Sequence, residues 1–395
     1  MTSTGAERHL SIDAVRGFAV LGILLMNIVG MGLPSFAYLD PTYAGGSTGA
    51  DMWTWAANNV LTDGKMRALF TMLFGASTVL IADRAEAGSG LSPAATHYRR
   101  MLWLLLIGVL HAVFLWFGDI LVPYAIAGLL IFPFRKLSAR TQLIIGVTIL
   151  VLILAKNAVG PAIPTPPPEA KAAEIKGFLG GFVEATQARL NMLMLFYLII
   201  HPFDTIPEAI GQMFIGMALF RLGFFTLGWS SRAYAITVAV GYLIAVPFTA
   251  WLAYGIVASG FAPKTLHGNE VWQQITRPII ALAHASALLL LIRAGWVAWL
   301  TDRLAAAGRM AFSNYLMTSV ITSLVFCGYG LGLYGTLSRS GQLWVVLGVW
   351  IFILLWSKPW LERFQYGPFE WIWRSLVQWK RQPFMKLPKP ASAAA

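Results

Sequence analysis

Charge is what this sequence most conspicuously lacks. Only 12% of its 395 residues are Asp, Glu, Lys or Arg, against 57% that are hydrophobic. A soluble domain carries about 25% charged residues, so a water-facing surface could not be covered with so few. Cysteine is nearly absent as well: the single Cys327, inside an apolar stretch, excludes a disulfide framework. There is no Walker or dinucleotide glycine motif, no Cys/His zinc spacing and no His-Glu-x-x-His pair, so no metal site or tightly bound cofactor is expected. The net charge of +12 does not point to nucleic acid, because the basic residues are scattered over the ends of apolar runs.

What is present is a series of apolar runs, several reaching the ~20 residues that cross a hydrocarbon core. The expected fold is an all-α integral membrane bundle of about ten transmembrane helices, at 14–33, 66–84, 101–117, 120–135, 141–160, 195–220, 232–257, 278–297, 309–331 and 342–358. The run after the polar N-terminus leads straight into further membrane segments and reads as a first span, not a cleaved signal. Residues 1–364 form this bundle. Residues 365–395, with Trp371, Trp373 and Trp379 beside Arg374, Lys380 and Arg381, form a cytoplasmic interfacial tail. Phe117-Gly118-Asp119 makes a tight turn between the third and fourth spans. The proline run PAIPTPPPEAKAAEIKG reads as an extended connector, followed by a surface helix over 169–190. With ten crossings and a cytoplasmic N-terminus, twenty of the 29 Lys and Arg residues, Arg8 and Lys389 among them, fall on one side. The positive-inside rule then places both termini in the cytoplasm and the protein in the plasma (inner) membrane.

Ionisable groups inside such spans cost roughly 2.5–3.5 kcal/mol each on insertion scales, which marks them as functional candidates. Asp13, Arg16 and Asn27 lie on nearly one face of the first helix, although Asp13 and Arg16 could equally pair at the interface. His111 lies mid-span with Asp119 two turns on, and histidine suits proton transfer near neutrality; the alternative is a histidine bonded to a neighbouring helix for packing. His284 is a second intramembrane histidine, and Asn314 a buried amide needing a partner. His201, Asp204 and Glu208 surround a break at Pro202 and Pro207, tolerated at membrane depth only beside protein or a water-filled cavity. Lys65 and Arg67 either hold phosphates or snorkel to the interface. A transporter, an intramembrane enzyme and a non-catalytic accessory protein of envelope synthesis all remain open on these residues.

The segments SIDAVRGFAVLGILLMNI, DGKMRALFTMLFGAS, YRRMLWLLLIGVLHAVFLWFGDILVPYAIAGLL, GMALFRLGFF, GRMAFSNYL and FQYGPFEWIWRS resemble the YeiB-like membrane proteins, and they run from residue 11 to residue 375. More remotely, Asp13-x-x-Arg16-Gly17 before an apolar helix is similar to the first helix of two acyl-transferring families. These are the lysosomal heparan-α-glucosaminide N-acetyltransferases and the bacterial polysaccharide O-acyltransferases. The latter carry a histidine where this chain has Asn27, and the histidine that the former carry before the second helix is missing from 34–65, so neither base transfers. The resemblance implies transfer of an acyl group, acetyl foremost, from cytoplasmic acyl-CoA to a hydroxyl or amine of an envelope acceptor. His111 would be the base and Asp119 its orienting partner, with Arg16 and Asn27 at the thioester or oxyanion. Arg99, Arg100 and Arg309, with Lys65 and Arg67, would hold CoA phosphates, leaving Asp13, Asp204, Glu208, His284 and Asn314 as substrate-contacting or structural polar groups. The implied partners are membrane lipids, acyl-CoA and the acceptor, with a homodimer permitted. A permease for a small or lipid-linked molecule is the alternative.

Overall fold

The computed structural model describes residues 5–88, 90–161 and 164–386, and side chains from residue 10 onward. The side chain of Arg8, the last nine residues of the tail, Lys389 among them, and two positions of the proline run therefore lie outside the described residues. Among the described residues sixteen α-helices follow one another: α1 Gly5–Gly32, α2 Gly49–Leu61, α3 Lys65–Ala87, α4 Pro93–Phe114, α5 Leu121–Ile131, α6 Ala139–Val159, α7 Pro168–Leu179, α8 Phe182–Leu195, α9 Ile206–Arg221, α10 Ser231–Val240, α11 Val246–Ala258, α12 Pro263–Ala294, α13 Ala298–Arg309, α14 Ala311–Phe326, α15 Gln342–Arg363 and α16 Pro368–Gln378. The joins from α8 to α9 and from α10 to α11 are π-helical, over Phe196–Thr205 and Gly241–Ala245. Pro202, which has no N–H to give to the ladder, sits inside the first of these.

Among the described residues seven helical stretches are long and apolar enough to cross a membrane. Every segment expected to span is helical, but three fall short of that standard. The eleven residues of α5 rise only about 16 Å, α14 has sixteen residues, and α4 begins at Pro93 with a polar first turn and is interrupted by Arg99 and Arg100. The segment expected at 278–297 is the second half of a longer helix that starts at Pro263 and passes through Pro278.

Burial orders these helices. In α1, 83% of the apolar window is buried, against 17–22% in α6, α8–α9, α10–α11 and α15. The first helix is therefore the axis of the bundle, and the outer helices turn Leu152, Leu243, Trp251 and Trp344 outward, an arrangement suited to lipid and not to water. α1 can be central because it meets α13 backbone to backbone. A Cβ on Gly17 would lie 1.9 Å from the Leu304 carbonyl oxygen, and one on Gly308 would lie 1.8 Å from that of Asp13. Only glycine allows helices this close, the device by which small residues join helices in membranes.

At the end of the bundle away from Arg16, the loops are tied together by buried polar groups. Glu174 of α7 accepts from the Ser35 amide at 2.7 Å, the Ser35 hydroxyl at 3.1 Å and the Tyr334 hydroxyl at 2.7 Å; burial pushes its carboxyl up. Arg189 of α8 is buried and donates to Tyr329 Oη at 2.9 Å and to Cys327 Sγ at 3.4 Å. The surface helix expected over 169–190 is thus two helices broken before Phe182. Their charged residues Glu174 and Arg189 point inward because each has a partner there.

Candidate active site

His111 occupies the last turn of α4, and its position follows from a close helix crossing. A Cβ on Gly108 would lie 2.8 Å from the Val122 amide nitrogen, so α5 can fold back directly onto α4. The Leu115 and Trp116 amides both donate to the His111 carbonyl, at 2.9 and 3.0 Å, which closes the turn. That turn sets Asp119 beside the imidazole. One carboxylate oxygen, Oδ2, accepts from the Val122 amide at 2.8 Å. The other, Oδ1, lies 2.8 Å from His111 Nδ1, off the line of the ring N–H bond. Such misalignment is common before substrate binds.

The second ring nitrogen of His111, Nε2, is 2.8 Å from the hydroxyl of Ser319 on α14. His111 is 2% exposed, and Asp119 and Ser319 are fully buried. A carboxylate only accepts, so once Oδ1 aligns with the ring the matching tautomer carries its proton on Nδ1 and lets Nε2 accept from Ser319 Oγ. Three elements thus converge on one Ser–His–Asp arrangement. Beside it, the Tyr315 ring lies 5.1 Å from that of His111. From the π-helical segment come Tyr197 and His201, within electrostatic reach of Asp119. The Tyr197 hydroxyl and both His201 ring nitrogens are buried with no hydrogen-bond partner among the described residues.

Toward the Arg16 end of the bundle lies a cavity of about 700 Å³, within the 300–1,000 Å³ usual for ligand pockets. Its walls carry six basic side chains, Arg16, Arg84, Arg100, Arg309, Lys358 and Arg374, against three acidic ones, Asp13, Asp302 and Glu370. The excess favours an anionic occupant. Its inner wall is apolar and aromatic, with Leu104, Leu121, Tyr124 and Tyr315. Tyr315 and Ser319 are four residues apart on α14, on one face and about one turn from each other. Leu121 follows Asp119 by two residues. The Ser–His–Asp group therefore sits directly behind this wall.

At the cavity mouth Arg16 donates to Asp13 at 2.8 Å and to Ser77 Oγ at 3.1 Å. The tail helix α16 closes one side. Glu370 accepts from the amides of Phe312 and Ser313, at 2.8 and 3.0 Å, and from the Ser313 hydroxyl. It thereby satisfies the open N-terminus of α14, and burial pushes its carboxyl up. Trp373 donates to the Arg100 carbonyl at 3.0 Å, and the Arg100 guanidinium stands 4.1 Å over the Trp373 ring.

Of the residues singled out from sequence, Asp13, Arg16, Arg100 and Arg309 meet at the cavity, and His111 and Asp119 meet behind it. The others are elsewhere. Arg99 donates to the Val377 carbonyl at 3.4 Å, holding the tail helix. Asn27 is buried eleven residues, about 16 Å, further along α1 and does not line the cavity. Lys65 and Arg67 do not join the arginines. Fully buried Lys65 donates to the Asn59 carbonyl and to Gln273 Oε1, and Arg67 pairs with Glu208 at 3.0 Å. Close by, Arg277 of α12 pairs with Glu270 at 2.8 Å and Asp63 at 3.5 Å. Asp204 pairs with Lys156 at 2.5 Å in an exposed position, so it is separated from Glu208. His284 clamps helices, donating from Nε2 to the Leu61 carbonyl at 2.8 Å and accepting at Nδ1 from the Tyr242 hydroxyl at 2.6 Å. Asn314 is fully satisfied by the Ala307 carbonyl, Ser357 and Trp356. Ser319, Tyr315 and Glu370 were not singled out from sequence, and Arg374 was read only as part of the interfacial tail.

A family model described as a protein of unknown function (DUF418) matches residues 219–380, a stretch that carries Arg309, Tyr315, Ser319 and Glu370. The chain is 31% identical to the uncharacterized protein YeiB of Escherichia coli strain K12, over 94% of this chain and 96% of that one. It is 28% identical to the uncharacterized protein YxaH of Bacillus subtilis strain 168, over 97% of each. No solved structure matches. With end-to-end similarity at this level, the chain belongs to the YeiB family of multi-helix proteins.

Proposed function

We propose that this protein is a membrane-embedded acyltransferase that takes an acyl group, acetyl in the first instance, from cytoplasmic acyl-CoA and passes it to a hydroxyl or amine of an envelope acceptor. The observation that carries the reading is one juxtaposition: a cavity rich in arginine ends on a wall directly in front of a buried histidine oriented by a carboxylate. Arg100 and Arg309 would hold the donor's phosphates through charge-assisted hydrogen bonds. Arg16 would stand near the thioester, and His111 would remove the acceptor's proton. A permease would need carboxylates free to couple an ion. Glu208 is paired with Arg67 and Asp204 with Lys156, which favours transfer over transport.

The test is binding of CoA itself to the purified protein by calorimetry. Affinity should fall steeply with salt, because ion pairs at an open mouth are screened. Arg100→Glu should weaken binding about 10–100-fold, the worth of a hydrogen bond to a charged group. No heat at millimolar CoA would favour the permease.

The same reading sets ten crossings of the plasma membrane with both termini cytoplasmic. Arg84, Arg100, Arg309, Lys358 and Arg374 all lie at the cavity end, which the positive-inside rule assigns to the cytoplasm. A reporter fused at Glu86 should then give a cytoplasmic signal and one at Ala172 an external signal. A cytoplasmic signal at Ala172 would sink the ten-span topology.

A further inference from the structure

The hydroxyl of Ser319 differs from its neighbours. On α14, Thr318 donates to the Asn314 carbonyl at 2.8 Å and Thr322 to the Thr318 carbonyl at 2.9 Å. That is the usual way for a hydroxyl inside a membrane helix to satisfy itself. Ser323 donates to the Leu115 carbonyl at 3.0 Å. The Ser319 hydroxyl instead faces His111 Nε2 at 2.8 Å, with Asp119 at 2.8 Å from the opposite ring nitrogen. Asp119 is in turn fixed by the Val122 amide. A hydroxyl, a base and a carboxylate that orients the base form the arrangement that activates a serine on unrelated folds. It is recognised by geometry and roles, not by sequence order.

The geometry points to Ser319 as a nucleophile that carries the acyl group between donor and acceptor; this rests on the acyl-transfer reading above. In the first half-reaction Ser319 Oγ attacks the thioester carbonyl and its proton passes to His111 Nε2. The C–S bond breaks, and the CoA thiolate leaves with that proton, giving a serine ester and free CoA. In the second half-reaction the acceptor hydroxyl or amine gives its proton to Nε2 and attacks the ester carbonyl. The C–Oγ bond breaks and Ser319 regains a proton. Donor and acceptor need never occupy the site together. Tyr315 lines the cavity and packs its ring 5.1 Å from that of His111, while Ser319 and His111 are buried, so on this mechanism the ring moves aside for the thioester to arrive.

The experiment uses full-length protein in lipid nanodiscs with acetyl-CoA labelled in the acetyl group and no acceptor. One covalent acetyl per chain is expected, on the peptide containing Ser319, released by hydroxylamine and matched by an equal amount of free CoA. Ser319→Ala should keep CoA binding, lose the label and lower turnover by about 10³-fold or more; retained CoA binding certifies its fold. A Ser319→Ala protein that transfers acetyl at the wild-type rate, or a label on another residue, overturns the acyl-serine and leaves acyl transfer standing. A fluorophosphonate probe, which reports an activated serine whatever the donor, should modify Ser319 and react more slowly in Asp119→Asn. No modification there overturns the activated serine. Modification without any uptake from acetyl-CoA overturns the acyl-CoA reading instead.

Discussion

His111→Gln is expected to leave a protein that inserts, folds and binds CoA, yet turns over about 10²–10⁴-fold more slowly, the worth of a positioned acid–base group. Glutamine keeps a hydrogen-bonding side chain of similar reach for Ser319 and Asp119 but cannot titrate. If the imidazole only joined α4 to α14, the replacement would satisfy the same neighbours and activity would survive. Asp119→Asn should act in the same direction, because an amide beside Nδ1 no longer favours the tautomer that leaves Nε2 free. Asn can still accept from the Val122 amide, so its fold should be kept. The readout is initial rate at saturating acetyl-CoA with an envelope extract as acceptor, alongside CoA affinity. Wild-type turnover in a folded His111→Gln protein would remove the histidine from the mechanism.

The largest effect on stability is expected at Arg277→Ala. Arg277 is 4% exposed and sits among Asp63, Glu270 and Lys65. Its side chain packs so closely on the loop before α3 that a Cβ on Gly64 would meet Arg277 Nε at 2.0 Å. Truncation leaves Asp63 without its main counter-charge in a site from which water is largely excluded. Breaking a buried pair by removing one partner costs about 3–5 kcal/mol. Equilibrium unfolding in mixed micelles should register that loss, and Arg277→Lys, which restores the charge but not the planar guanidinium whose Nη2 reaches both carboxylates, should recover only part of it. A change below about 1 kcal/mol would mean that the carboxylates are solvated. CoA binding should survive wherever the fold does, because the network and the cavity lie at opposite ends of the bundle.

That network explains one limit of the sequence. Lys65 and Arg67 read as phosphate ligands because cations at the mouth of a span have two equally good uses. The partners that decide between them, Gln273, Glu208 and Asp63's neighbour Arg277, come from helices far along the chain. His111 and Asp119 were legible because they are local, eight residues apart across a turn whose Phe117-Gly118-Asp119 could be seen to fold back. Ser319 was not, since it stands 208 residues from His111 in a helix with five other hydroxyl-bearing residues. Nothing in their spacing tells the one that faces a histidine from those that bond to backbone carbonyls. The helical segments themselves were legible from apolar runs alone. Their number as crossings was less so, because α5 and α14 are apolar but only eleven and sixteen residues long, and most of their side chains are covered by neighbouring helices. The inward turn of Glu174 and Arg189 was hidden for the same reason as Ser319: their partners Ser35, Tyr334 and Tyr329 are not nearby in sequence.

The burial of Cys327 beneath Arg189 has a practical side. It is the sole cysteine in the chain and 4% exposed, with its sulfur 3.4 Å from Arg189 Nη2, so a reagent in solution has little access to it. The native sequence thus already offers a silent background for thiol-directed reporters. A cysteine placed at exposed Trp379 and another at exposed Leu102 could carry spin labels or dyes with little competing signal, and their separation would report any movement of the tail helix when CoA is added.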